Sequence, residues 1–308
     1  MTARTGALVA AILLVLLGIA PATGQDGAPV SAGLDASIRK ANAYVALMNR
    51  TLRASESWSR YASWVDVRKG PTGKERIVYG LYGLYDVRDE IANALKASTE
   101  PPAWPEADET LKRYVAAYEA LAPLIGEAEG YYERKDYLAD KMAGGKALHV
   151  KLKPAAEAFL AERATFERDM AMVQSDLNRA ELEALERSEG RKARWQVRNV
   201  MIEARGIVDL LPTNAAPVVR LAAFDAALDR YAAAVKELDD YARANPGSFH
   251  VFESQPRSLL GKLREMRAKL GRTKGDARKA GVGFELTWII NDYNMMVSTA
   301  ESATAFAK

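Results

Sequence analysis

The sequence of 308 residues contains no cysteine and only two histidines, His149 and His250. The lack of cysteine excludes disulfides, thiolate metal sites, a cysteine nucleophile and a lipid-modified N-terminal cysteine. A borderline metal ion prefers three or four nitrogen, oxygen or sulfur ligands. The sequence places only two potential ligands within one helical turn, His250 and Glu253, so they are weak metal candidates. We expect no cofactor.

The sequence also lacks the common catalytic motifs. It contains no Gly-x-Ser-x-Gly elbow, no His-Glu-x-x-His pair, no phosphate-binding loop and no dinucleotide fingerprint after a strand. Among its 40 acidic residues, spacing alone selects no pair for glycoside hydrolysis. We therefore expect a protein that is not an enzyme. The alternative is a metal-binding protein or an enzyme whose site is assembled from distant helices.

Charge of neither sign dominates the chain, which has 43 basic and 40 acidic residues. Acids and bases alternate in its charged stretches, whereas a nucleic-acid binder concentrates Lys and Arg on one face. We predict no nucleic-acid partner. The composition, 49% hydrophobic and 27% charged, is that of an ordinary globular protein.

The first 24 residues have the features of a signal peptide. Arg4 provides a short positive region, residues 7–20 form an apolar run broken only by Gly18, and residues 22–24 are small. The apolar run is shorter than the roughly 20 residues that cross a bilayer. We expect cleavage after Gly24, or after Ala22, and no stable membrane anchor afterwards. The mature protein is then periplasmic or secreted.

Apolar residues recur at helical spacing in nearly every long segment, which predicts an all-α fold. Short segments rich in Pro and Gly separate the helices and favour antiparallel neighbours. We predict a flexible leader over residues 25–33 and a single domain over 34–308 that forms an elongated antiparallel bundle of long helices. The predicted helices cover 35–67, 74–97, a segment from 106 interrupted near 123–130 and 144–145, 154–188, 192–211, 218–243, 255–270 and 276–306.

The densest cluster of polar and aromatic residues lies at 131–149. On a helix, Tyr132, Asp136 and Asp140 would follow one another by four residues, so the two carboxylates would share a face. Glycines on either side weaken the helix, and nearby polar side chains must replace any backbone hydrogen bonds lost inside the protein. We predict that this cluster forms a structural junction that stabilises the bundle, with ligand recognition as the second possibility; its members are Tyr132, Asp136, Tyr137, Asp140 and His149.

Two stretches resemble a family of bacterial envelope lipoproteins of unknown function, the YiiG-like family. The first is Tyr-Tyr-x-x-Lys-Asp-Tyr-x-x-Asp at 131–140, followed by Gly-Lys-x-Leu-His at 145–149, and the second is the Tyr293-Asn294 pair within 288–297. The resemblance implies an envelope location and a helical fold, but no activity. Members are typically lipid-anchored, and this chain lacks the cysteine that such an anchor requires.

These observations favour a non-enzymatic binding or scaffolding protein of the envelope. Long helices offer extended faces, the 131–149 cluster offers a recognition patch, and no catalytic set competes. The expected partner is an envelope protein or a small ligand. A protein held at the membrane surface by an uncleaved signal is a further alternative.

Overall fold

The computed structural model describes residues 28–213, 216–300 and 302–303, with the side chains of 28–32, 250 and 251 left out. The predicted signal peptide lies outside these residues. Within them the chain forms nine α-helices and two short 3-10 helices, and no strand; one isolated β-bridge joins Val218 to Asp276. The all-α prediction is confirmed.

The described chain divides into two compact units, 28–177 and 178–303. We call them the N-terminal and the C-terminal unit, and their boundary falls within helix α4. Four helices begin in the N-terminal unit: α1 Ala28–Ala62, α2 Arg88–Ser98, α3 Pro105–Glu133 and α4 Ala143–Glu189, with a 3-10 turn at Asp136–Leu138. Helix α1 includes residues 28–33 of the predicted leader. The prediction of a single domain stays a prediction.

Five further helices lie in the C-terminal unit. Gly190, at a positive φ of 76°, ends α4, as its sequence position suggested. Gly281, at φ 67°, follows α8 and divides the single helix predicted over 276–306. The helices are α5 Ala193–Val208, α6 Leu221–Ala244, α7 Gln255–Arg272, α8 Ala277–Ala280 and α9 Gly283–Ala300, with a 3-10 turn at His250–Ser254.

The core of the N-terminal unit is aromatic. The ring of Tyr114 on α3 stacks on Phe159 at 5.5 Å and on Phe166 at 5.4 Å between centroids, both from α4. The Tyr114 hydroxyl accepts a hydrogen bond from buried Arg163 at 3.0 Å and shares another with Thr51 of α1. Because aromatic burial dominates core energetics and buried hydroxyls need partners, these contacts hold α1, α3 and α4 together.

Several predicted helix boundaries are wrong, and α3 runs without a break through the interruption predicted near 123–130. The chain over 74–87 is not helical, so the helix predicted at 74–97 is reduced to α2. The break predicted at Gly144-Gly145 is also absent: α4 runs through it, and the chain instead turns at 134–142, where Lys135, Lys141 and Met142 have positive φ.

Candidate functional site

An extended segment, residues 79–86, lies along α1 in place of the predicted helix. Five side chains spaced by three or four residues hydrogen-bond to its backbone. The Ser57 hydroxyl donates to the carbonyl of Tyr82 at 2.9 Å and accepts from the Tyr82 amide at 3.2 Å. The other four donate to carbonyls at 2.9–3.3 Å: Arg50 to Asp86, Arg53 to Gly83, Arg60 to Tyr79 and Trp64 to Gly80.

This segment, which we call the strap, runs antiparallel to α1. Arg50, in the second half of α1, binds the end of the strap, and Arg60 and Trp64, at and just after the end of α1, bind its start. These hydrogen bonds replace the ones that a helix would have made. The polar backbone groups that take part therefore have partners, although the strap forms no regular secondary structure. Gly80 has a φ of 67°, and a Cβ there would lie 3.3 Å from the Cβ of Tyr132, so glycine suits both the turn and the close approach.

The strap tyrosines stack with the arginines of α1. The guanidinium carbon of Arg53 lies 4.0 Å from the centroid of the Tyr82 ring, and that of Arg60 lies 4.3 Å from the same ring. Arg50 lies 4.5 Å from Tyr85, which is 50% exposed. Cation–π pairs of this kind hold exposed side chains in place. We call this group the Tyr–Arg surface: Arg50, Arg53, Arg60, Tyr79, Tyr82 and Tyr85.

Of the cluster predicted at 131–149, the aromatic members pack inside the protein. The ring of Tyr132 is buried and meets Trp64 edge-on at 5.1 Å; Tyr137 packs on its other side at 6.2 Å. The Tyr132 hydroxyl is buried and has no hydrogen-bond partner in the described part of the chain. Burial raises the pKa of Tyr132, so it stays protonated. This half of the cluster has the character of the predicted junction.

His149 belongs to the same buried region. It is 7% exposed, and its Nδ1 lies 3.0 Å from the Tyr61 hydroxyl, whose ring stacks on it. The backbone of Val67 accepts a hydrogen bond from the imidazole, which assigns the single proton of neutral His149 to Nε2. Nδ1 then accepts from the Tyr61 hydroxyl. His149 thus ties the end of α1 and the following loop to α4.

The two acidic members of the cluster, Asp136 and Asp140, are not buried. Helix α3 ends at Glu133, so Asp136 and Asp140 do not share the helical face predicted for them. Asp136 forms an ion pair with Arg134 at 2.7 Å, and its side chain is 42% exposed. Asp140 accepts from the Gly144 amide and from the Tyr131 hydroxyl, each at 2.8 Å. The Gly144 amide, the larger cause, and the Tyr131 hydroxyl lower the pKa of Asp140, which acts at the start of α4 like a helix cap.

The protonation of His149 predicts a pH dependence. Burial lowers its pKa below the usual 6.5, so the unfolded chain binds the proton more readily than the folded chain. The stabilisation that depends on neutral His149 is therefore complete above about pH 6.5 and is lost as the pH falls below that value. Hydrogen exchange of the amides at the start of α4 should show easier opening at about pH 5.5 than at about pH 7.5. His149→Gln, which stays neutral, should flatten this difference; an unchanged difference would assign it to other groups.

Of the two weak metal candidates, Glu253 has a described side chain, and the side chain of His250 lies outside the described residues. Glu253 pairs with Arg257 at 3.2 Å. In the part of the chain that the structure describes, no three His, Asp or Glu side chains are grouped to hold a metal ion.

None of the described helices combines the length and the apolar character needed to cross a membrane.

Sequence reasoning missed the strap and its tyrosines. The signal was present in α1, where Arg50, Arg53, Ser57 and Arg60 make one face polar in a helix whose other faces are buried. A polar stripe at helical spacing normally faces water. Here the polar face of α1 binds the backbone of the strap. In the sequence, the strap is distinguished only by its tyrosines at 79, 82 and 85 and its glycines at 80 and 83.

Comparison with known proteins gives a family but no activity. A family model described as "Protein of unknown function (DUF3829)" matches residues 35–283. The uncharacterized protein YiiG of Escherichia coli (strain K12) is 31% identical over 176 residues, which cover 56% of this chain and half the length of that relative. No solved structure matches the chain. The resemblance to YiiG-like proteins is confirmed, and the chain belongs to the DUF3829 family of proteins of unknown function.

Proposed function

We propose that this protein is exported to the periplasm and acts there as a non-enzymatic binding protein, which holds a protein partner on the Tyr–Arg surface. Export is supported by the apolar run and the small residues that precede Gln25. The binding role is supported by the exposed tyrosines and arginines of the strap and α1.

The Tyr–Arg surface has the composition of a protein interface. Tyrosine and arginine are enriched at interfaces and at their energetic centres. Ile77, just before the strap, and Tyr79, at its start, are also exposed. Because hydrogen bonds and stacking already order these side chains, a partner loses little conformational entropy in binding them. This surface is therefore a better candidate for recognition than the 131–149 cluster, for which recognition was the second possibility and whose rings are largely buried.

Photo-crosslinking in cells tests the proposal. A benzophenone amino acid replaces Tyr85 in the full chain, and the same amino acid replaces Met172, an exposed apolar residue of α4, as the matched control. We expect one adduct of defined mass from position 85, in the periplasmic fraction, and none from position 172. Arg50→Ala, combined with the crosslinker at position 85, removes a cation of the Tyr–Arg surface and should decrease the yield several-fold.

Two results would overturn the proposal. Equal adduct yields from the two positions would show that contact at position 85 is nonspecific. Retention of the chain in the cytosol would contradict its periplasmic location.

A further inference from the structure

The positive charge of the chain is concentrated in α7, α8 and the turn between them. Residues 255–300 contain nine Lys or Arg and four Asp or Glu, whereas the rest of the chain has 34 basic and 36 acidic residues. The net charge of the whole protein therefore comes from this region, and the alternation of charge seen elsewhere does not extend to it.

Helices α7 and α9 pack side by side in opposite directions. Thr299 donates to the side chain of Gln255 at 2.6 Å, Lys262 binds Asp292 at 2.6 Å, and Lys269 pairs with Glu285. The C-terminal end of α7 is therefore next to the N-terminal end of α9. The basic residues of 269–279 gather where α9 begins.

The outer side of α9 exposes three large apolar side chains, beside polar residues such as Asn291. Phe284 is 79% exposed, Trp288 53% and Met295 54%, and their spacing of four and seven residues places them in one stripe. The opposite face buries Ile289 and Tyr293. We call the three exposed residues the α9 stripe. Lys262 of α7 lies 5.6 Å from the Trp288 ring, so the stripe borders the basic helix directly.

Three cations of α7 and the turn after it have no carboxylate partner among the described residues. Arg264, Arg272 and Lys274 are exposed and form no ion pair there. Lys262 and Lys269 form ion pairs with acidic residues of α9. The acidic residue of α7 itself is Glu265, which is exposed. The end of α7 and the turn after it thus present unneutralised positive charge next to exposed aromatic rings.

We propose that this face, made of α7, the 272–279 turn and the α9 stripe, binds the surface of an anionic lipid bilayer. Aromatic side chains partition into the membrane interface, and Lys and Arg are attracted to anionic headgroups. Phe284 and Trp288 enter the interface, while Arg272 and Lys274 contact lipid phosphates. The contact is peripheral, since α9 carries Glu285 and Asp292 on the side that packs against α7.

Charge complementarity selects the membrane among possible occupants. A second copy of the chain, docked through the same face about a twofold axis, would place one basic face on another. A nucleic acid would neutralise the cations but would leave the α9 stripe in water. A bilayer with anionic headgroups satisfies both features together. The proposal is independent of the Tyr–Arg surface, which lies in the N-terminal unit.

Vesicle binding tests the proposal on protein purified from cells that express the full chain. We expect co-sedimentation with vesicles of phosphatidylglycerol and phosphatidylcholine, weakened by salt, and little with phosphatidylcholine alone. Combined Phe284→Ser and Trp288→Ser should decrease the partition coefficient about tenfold or more, and so should combined Arg272→Glu and Lys274→Glu. The parent and all the variants have the same N-terminal residues, so any binding through residues 1–24 contributes equally to each of them.

Matched controls distinguish binding through this face from nonspecific binding to vesicles. Val150→Ser changes an equally exposed apolar residue, and Arg187→Glu an exposed cation, both on α4, so each should leave binding unchanged. The fluorescence of the protein should shift to the blue on binding, and this shift should be lost in Trp288→Phe.

Three results would overturn the proposal. The first is equal vesicle binding by the parent and both double variants. The second is preferential, salt-sensitive binding of a DNA oligonucleotide through Arg272 and Lys274. The third is a concentration-dependent dimer that is lost in the Phe284 and Trp288 double variant while no protein binds vesicles.

Discussion

Glu181→Ala is expected to lower the free energy of unfolding of the C-terminal unit by about 3–5 kcal/mol, the usual cost of breaking a buried ion pair. Glu181 lies near the end of α4 and pairs with Arg198 of α5, and both side chains are buried. Burial raises the pKa of Glu181, and the guanidinium of Arg198 opposes that shift. Removal of the carboxylate leaves Arg198 with Asn178, at 2.8 Å, and with a buried Nε that has no hydrogen-bond partner among the described residues.

Native-state hydrogen exchange, resolved by peptides of α4 and α5, measures this loss where it occurs. Glu186→Ala is the matched control, since Glu186 pairs with Arg191 in solvent and its loss should change little. The double variant Glu181→Leu with Arg198→Met should recover most of the stability, because apolar replacement of a buried pair is often neutral or stabilising. A single variant as stable as the parent would contradict the assigned role of the pair.

Helical periodicity predicted most of the fold because it depends on local burial. In α3 the apolar residues Leu111, Val115, Tyr118, Leu121 and Ile125 follow one another by three or four residues, and all five are buried. The same argument failed at 74–97. Leu81 in the strap and Val87 just after it are buried, but not in a helix, since apolar residues at such spacing can also be buried when the backbone bonds to another element.

The candidate site was predicted in part. The buried packing of Tyr132 and His149 followed from aromatic and polar residues near a weakened helix. The contact between Tyr61 and His149 could not be predicted, because Tyr61 lies 88 residues earlier in the chain and no local pattern encodes so distant a contact. Asp136 and Asp140 were misplaced for a related reason: Lys135 adopts a left-handed conformation, with φ 59°, that a sequence pattern does not reveal in a non-glycine residue.

The other large effect is expected from Gly70→Ala, at about 2–5 kcal/mol in the N-terminal unit. Gly70 has a φ of 77°, which costs an L-residue about 1–2 kcal/mol. A Cβ at this position would also lie 2.7 Å from Cδ2 of His149, and the overpacking of a core costs about 1–3 kcal/mol more. The ring has little freedom to move, because Tyr61 and Val67 hold its two nitrogens. Peptide-resolved hydrogen exchange at the start of α4 measures the loss.

Two comparisons separate the contact with His149 from backbone strain. Gly73→Ala is the matched control, because Gly73 has a φ of 83° while its Cβ would meet neighbours only at 3.4 Å, so strain of about 1–2 kcal/mol should be its whole cost. In a His149→Ala background the ring is gone, and Gly70→Ala should cost no more than this control. The two substitutions should therefore be strongly non-additive. Additive losses at Gly70 and His149 would show that the loop after α1 and helix α4 are not joined through the histidine ring, and the buried junction would lose its central contact.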